Sequence, residues 1–277
     1  MTYRTLLVAV DGTAESDARV DLALDLAVGM DAHLIGACGM ALILPPLDDG
    51  YTGGAMTGEA FTLFRDIAEA EVRGALTRFN ERIGARQDRT EWRGGIGRPA
   101  DVLTQAATAA DLVIVGRRSS HASDRAVDPA DIVMAVGRPV LVVPPCPERE
   151  PVGRPAVIAW KTTREAQRAI TAALPILRRA SEVHVFAGCT AGDEDAVSEQ
   201  LADVVAWLGR QDIPAEAHVQ IGATAGITDD ILSFAAVRGA GVIVAGAYGH
   251  SRLREWVLGG VTRDLLTSSP VCVLLSH

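Results

Sequence analysis

The chain has 277 residues, 48% of them hydrophobic, and a formal net charge of −9. That length suits one large domain or two ordinary ones. The negative balance argues against sequence-independent contact with nucleic acid or an anionic membrane, both of which need basic surface. No apolar run reaches the roughly 20 residues that span a bilayer. The opening MTYRTLLVAVDG reads as a strand and a turn rather than a secretory leader. The four cysteines (Cys38, Cys146, Cys189 and Cys272) are scattered with no CxxC pair, which reads as reduced thiols in a cytoplasmic protein. The six histidines show no HExxH or other paired spacing, so no metal site is expected.

Short strands rich in Val, Ile and Leu alternate with longer alanine-rich stretches of helical period, the pattern of parallel strands joined by crossover helices. In the first half the strands are predicted at 3–10, 32–38, 89–93, 111–116 and 139–143. The helices there are predicted near 14–29, 59–85, 99–109 and 128–136, with Pro99 suited to a first helical turn. In the second half the strands are 155–160, 182–187, 215–220, 241–246 and 270–275, and the helices lie near 163–180, 194–211, 225–238 and 260–268. The two halves repeat: DLVIVG (111–116) mirrors GVIVAG (241–246), and GRPVLVV (137–143) mirrors SSPVCVL (268–274). Between them PPCPEREPVGRP (144–155) holds five prolines in twelve residues and reads as a linker, which sets domains at 1–147 and 151–277. Residues 41–58, ALILPPLDDGYTGGAMTG, fit neither strand nor helix; lid and plain surface loop are both open readings.

Glycine spacing carries the functional signal. GIGRPA (95–100) matches G-x-G-x-x-A but follows the third strand rather than the first, so it reads as a turn into a Pro-started helix and not as a dinucleotide fingerprint. No Walker-type phosphate loop occurs. VIVAGAYGHSRLREWVLGGVT (242–262) places Gly246, Gly249 and Gly259 after a buried strand, with Gly260 next and a helix beyond, a layout that cradles phosphate. The matching VIVGRRSSHASDRAVDPAD (113–131) keeps only Gly116.

With the Val10–Gly12 turn, the strand-to-glycine segments and the Pro-led last strands, the whole chain resembles the universal stress protein family in its tandem two-domain form. Its signature is G-x2-G-x9-G-[ST] after the fourth strand, with an aspartate ending the first. The resemblance implies an α/β fold of two tandem doubly wound domains, each a five-stranded parallel sheet of order 3-2-1-4-5. It also implies ATP or another adenine nucleotide as ligand, with adenine near the aspartate and phosphates at the glycine loop. The first half keeps Asp11 but has Ser119 for the second glycine, and Asp128-Pro129-Ala130-Asp131 where phosphate would sit. Proline removes an amide donor and two carboxylates repel the anion, so that site is read as degenerate. The second half keeps Gly246, Gly249, His250, Gly259, Gly260, Val261 and Thr262, with Gly260 replacing the family's hydroxyl residue. Lys161 stands where Asp11 stands in the first half and cannot accept a hydrogen bond from an adenine amino group, though it can meet a phosphate. Arg252, Arg254 and Arg263 add positive charge around the loop.

The expected function is a stress-response protein that binds an adenine nucleotide in its second half and is regulatory rather than catalytic, since no nucleophile, base and orienting residue fall at matching positions. Slow ATP hydrolysis stays open. The alternatives are a nucleotide-free scaffold with remnant pockets, and an enzyme on small anions using Lys161 and the 41–58 loop. The final strands 139–143 and 270–275 are expected to pair, making a pseudo-dimer within the chain because apolar edges need cover. A homodimer of whole chains is compatible with this, and the partner protein is unknown.

Overall fold

The computed structural model describes residues 2–42, 58–117, 127–148, 150–222, 226–248 and 260–277. The first half runs β1 (Thr5–Ala9), α1 (Ala14–Met30), β2 (His33–Met40), α2 (Gly58–Ile83), β3 (Thr90–Ile96), α3 (Pro99–Ala107), β4 (Leu112–Gly116), α4 (Pro129–Ala135) and β5 (Val140–Val143). The second runs β6 (Ala156–Ala159), α5 (Arg164–Leu177), β7 (Val183–Cys189), α6 (Glu194–Gly209), β8 (Glu216–Ile221), α7 (Ile227–Val237), β9 (Val242–Gly246), α8 (Gly260–Ser268) and β10 (Cys272–Ser276). β3 reaches Ile96, so Gly95 of the GIGRPA segment lies within a strand and the turn into α3 begins only at Gly97. The possible lid falls largely on 43–57, outside the described residues.

The strand order is β3-β2-β1-β4-β5-β10-β9-β6-β7-β8. Each half has the order 3-2-1-4-5 with every neighbour parallel. The halves then merge into one ten-stranded sheet through a single antiparallel pair, β5 with β10, in which Val142 faces Val273, Leu141 faces Leu274 and Val140 faces Leu275. All six of these side chains are buried. The alternation of strand side chains sorts the core into two layers. Leu6, Val8, Ile114, Ile158 and Leu274 meet α1, α2, α5 and α6 on one face. Leu7, Val113, Val142, Ile243 and Val273 meet α3, α4, α7 and α8 on the other.

The joint extends beyond the strands. The Tyr3 hydroxyl donates to the Ala172 carbonyl at 2.6 Å, and Arg179 donates to the Gly29 carbonyl near the end of α1 at 2.9 Å. On the other face Arg117 donates to the Thr267 carbonyl in the last turn of α8 at 2.6 Å, a cation where the helix dipole favours one. The linker is packed rather than free: Pro151 and Val152 are buried, and Gly241 lies so close that a Cβ there would meet the Pro151 carbonyl at 2.1 Å.

Candidate functional site at the carboxyl ends of the strands

Helices α1 and α5 start alike. Thr13 and Thr163 each cap their helix, the hydroxyl accepting from the Ser16 and Ala166 amides. The next turns of the two helices differ. Six residues past Thr13 stands Arg19, buried on α1; six past Thr163 stands Ala169.

Arg19 occupies the crevice of the first half, where the order of strands reverses between β1 and β4 and where ligands bind in open α/β sheets. Its Nε donates to the Ala9 carbonyl at 2.8 Å and its Nη2 to Asp11 Oδ2 at 2.9 Å. A Cβ on Gly116 would come within 2.2 Å of its Nη1. The other carboxylate oxygen of Asp11 accepts from the Thr13 amide at 3.0 Å and from the Thr13 hydroxyl. Burial alone would raise the Asp11 carboxyl. The Arg19 charge and the hydrogen bonds from Thr13 and Arg19 outweigh it and hold the group below the usual carboxylate range. At the other end of the crevice, Asp128 caps α4, its carboxylate accepting from the Ala130 amide at 2.9 Å with Pro129 in the first turn. An internal carboxylate thus stands where a ligand anion would meet that helix.

In the second half the corresponding positions are Lys161 for Asp11, Gly246 for Gly116, and Gly260, Val261 and Thr262 for Pro129, Ala130 and Asp131. Gly260 opens α8, so the amides of its first turn are unobstructed by proline. Thr262 is buried and its hydroxyl accepts from the Tyr248 amide at 3.5 Å, linking α8 back to the exit of β9. Lys161 is exposed at the end of β6. Gly246 has a packing reason of its own: a Cβ there would lie 2.5 Å from the Ala166 nitrogen, so the first turn of α5 rests directly on the β9 backbone. Gly249, His250, Gly259, Arg252 and Arg254, like Ser119 in the first half, lie outside the described residues.

Beside Trp160, the residue before Lys161, a groove of about 430 Å³ separates α5 from α6; Thr162, Gln200, Asp203 and Trp207 are among its lining residues. The Trp160 indole N–H is buried there without a hydrogen-bond partner among the described residues. The equivalent helix pair of the first half is instead tied by Arg78 and Arg82 on α2 to Asp17 and Asp21 on α1.

One constellation escaped the sequence reading. His184 on β7 and Glu216 and His218 on β8 lie together, their ligating atoms all within 4.8 Å. Glu216-x-His218 puts two side chains on one face of a strand, a visible signal, but the partner strand that supplies His184 is not readable from spacing.

No described helix is long and apolar enough to cross a membrane. Among curated proteins, none matches the chain. The family model for the universal stress protein family matches residues 2–144. A universal stress protein from Archaeoglobus fulgidus DSM 4304 superposes with a TM-score of 0.74 at 17% identity, covering 99% of this chain and 98% of its own. A functionally unknown protein from Pseudomonas aeruginosa PAO1 gives 0.60 at 13% identity, covering 99% and 92%. At these identities the likeness is one of fold. A universal stress protein in complex with cAMP aligns at 26% identity over 52% of this chain and 98% of its own, with a TM-score of 0.35, too low to compare sites. With its doubly wound strand order repeated twice and a family match over residues 2–144, the chain belongs to the universal stress protein family.

Proposed function

We propose that this is a regulatory stress-response protein built of two universal-stress-type domains, 1–147 and 151–277, that binds ATP or a related adenine nucleotide in the second. The observation that carries this is the asymmetry of the two crevices. In the first, Arg19 fills the space beside Gly116 and Asp128 caps the helix that would receive phosphate. In the second, Ala169 replaces the arginine, and α8 opens on Gly260-Val261-Thr262 with every amide donor retained. Backbone N–H groups at a helix N-terminus favour phosphate. The residues fit the phosphate end of a nucleotide better than the base end, because Lys161 supplies a cation and not an acceptor. When bound, the nucleotide would supply the signal. Gly260, Val261 and Thr262 would hold its phosphates and Lys161 would neutralise them. Calorimetric titration of the purified full chain with ATP tests this. Saturable binding at one site supports it, and no heat at millimolar ATP overturns it.

A nucleotide-free scaffold is the second reading. It is favoured by Gly246 and Thr262, which both have structural duties that need no ligand.

A further inference from the structure

We propose that His184, Glu216 and His218 form a binding site for one divalent transition-metal ion of the zinc class, at the opposite end of the second half from the glycine loop. His184 and Glu216 are register partners on adjacent parallel strands, near the amino ends of β7 and β8, and His218 lies two residues on, so all three side chains leave the same face. Their donor atoms make a compact triangle. His184 Nδ1 is 3.2 Å from His218 Nε2, and Glu216 Oε2 is 3.6 Å from each nitrogen. A triangle with sides 3.2, 3.6 and 3.6 Å has its centre about 2.0 Å from every corner, which is the bond length of zinc to imidazole nitrogen and carboxylate oxygen. Two imidazoles and one carboxylate are the donor set such ions favour, and three protein ligands leave room for water.

The surroundings fit a ligand set rather than a chance cluster. His184 is buried, and its other nitrogen, Nε2, is 3.2 Å from Glu182 Oε2. A proton held on Nε2 by that carboxylate leaves the Nδ1 lone pair facing the shared point, the arrangement that orients metal-bound histidines elsewhere. Glu182 is therefore a positioning residue. The Phe234 ring packs on both imidazoles, 5.9 Å from His184 and 4.8 Å from His218 between centroids, and fixes their planes. The Arg238 guanidinium lies over the Phe234 ring, 5.3 Å from its centroid, and opposes a cation; Glu182 and Glu216 offset it. The Glu216 and His218 side chains are 69% and 22% exposed, which gives an approach from solvent.

Without metal the same atoms make a hydrogen bond, His218 Nε2–H donating to His184 Nδ1. A divalent ion takes the place of that hydrogen bond: the His218 proton moves to Nδ1, and both rings bind as neutral imidazoles through their free lone pairs. The ion would staple β8, the outer strand of the sheet, to β7.

The test uses the full chain after treatment with a chelator. Titration with Zn²⁺ by calorimetry, and with Co²⁺ by its visible absorption, should show one equivalent bound, with a rise in Tm. His218→Gln and Glu216→Gln, on the more exposed strand, should each weaken binding at least tenfold while the metal-free chain melts as before. Glu182→Gln should weaken it by about 10- to 100-fold, as loss of an outer partner does. If wild type takes up no zinc at tenfold excess, or if His218→Gln binds as wild type does, the proposal falls. Retained folding of the metal-free variants is checked by their Tm, and a His218→Asn variant serves if the glutamine does not fold.

Discussion

The Arg19 guanidinium lies where a side chain on Gly116 would have to be, with its Nη1 2.2 Å from the position of a Cβ there. Its pair with Asp11 is partly open to water through the aspartate, so it is worth less than a fully buried pair. Arg19→Ala should cost about 1–2 kcal/mol of unfolding free energy, read by urea denaturation. Asp11→Ala should cost a similar amount, and the double variant should show clear non-additivity, since each single change strands the other partner.

The two crevice glycines should respond unequally to an added methyl group. At Gly116 the obstacle is the end of an arginine side chain, which can move. At Gly246 it is the Ala166 backbone nitrogen, 2.5 Å from the new Cβ, which cannot. Gly246→Ala should lose about 2–3 kcal/mol and Gly116→Ala about 1 kcal/mol, within the usual range of overpacking. Thermal melts of both variants compare them directly.

Ligand uptake should track the contents of the second crevice. Gly260→Ser restores the family hydroxyl, and among the described residues the nearest atom to its Cβ would be Asp264 Oδ2 at 3.4 Å, an ordinary contact. It should tighten ATP binding up to about tenfold, the worth of one hydrogen bond. Ala169→Arg with Lys161→Asp transplants the Arg19–Asp11 pair and should abolish binding. Calorimetry reads both. Unchanged affinity in the double variant would show that nucleotide, if bound, sits elsewhere.

Acid should weaken the fold through aspartates paired with arginine. Asp11 is held below its ordinary value, burial opposing and Arg19 and Thr13 prevailing. Asp17 is lowered too, burial opposing and Arg78 and Arg82 prevailing. A depressed folded pKa means the unfolded chain binds more protons, so these groups stabilise above the unfolded value of about 3.9 and that stability drains away as pH falls through the folded values. Asp21, raised chiefly by burial, acts in the opposite sense. Unfolding free energy should be level from pH 7 to about 5 and then fall. Asp17→Asn should flatten that slope.

Thiol chemistry should single out one cysteine. Cys146 is exposed in the linker, while Cys38, Cys189 and Cys272 are buried, and burial pushes the thiols of Cys38 and Cys272 up to about 12. A thiol-specific reagent should find one fast equivalent in the native chain and four after denaturation.

Most of the layering was legible because short continuous runs of Val, Ile and Leu alternate with alanine-rich helical runs, and because Pro139 and Pro270 mark the last strands in the same place. The pairing of β5 with β10 followed from two apolar edges that could not face water. The arginine filling the first crevice was less legible, though not invisible. Arg19, Ala23 and Leu26 share one buried stripe of α1, and a cation in such a stripe must find a partner. The histidine cluster depended on the register of β7 against β8, which local spacing does not encode. The functional readings at Gly249, His250 and Gly259 lie outside the described residues and stand as proposals.

The antiparallel joint has a further consequence. Because β5 and β10 run against each other, Val143 ends level with Ala156, the first residue of β6, and the chain crosses from one half to the other under β10 and β9 without passing over the sheet. The carboxyl ends of the strands in the two halves therefore point to opposite edges of the sheet. In a pair of identical subunits every substitution strikes both sites at once. Once the pair is a single polypeptide each crevice mutates alone. One copy is then free to fill its crevice with Arg19 and to persist as the permanent dimerisation partner of the other.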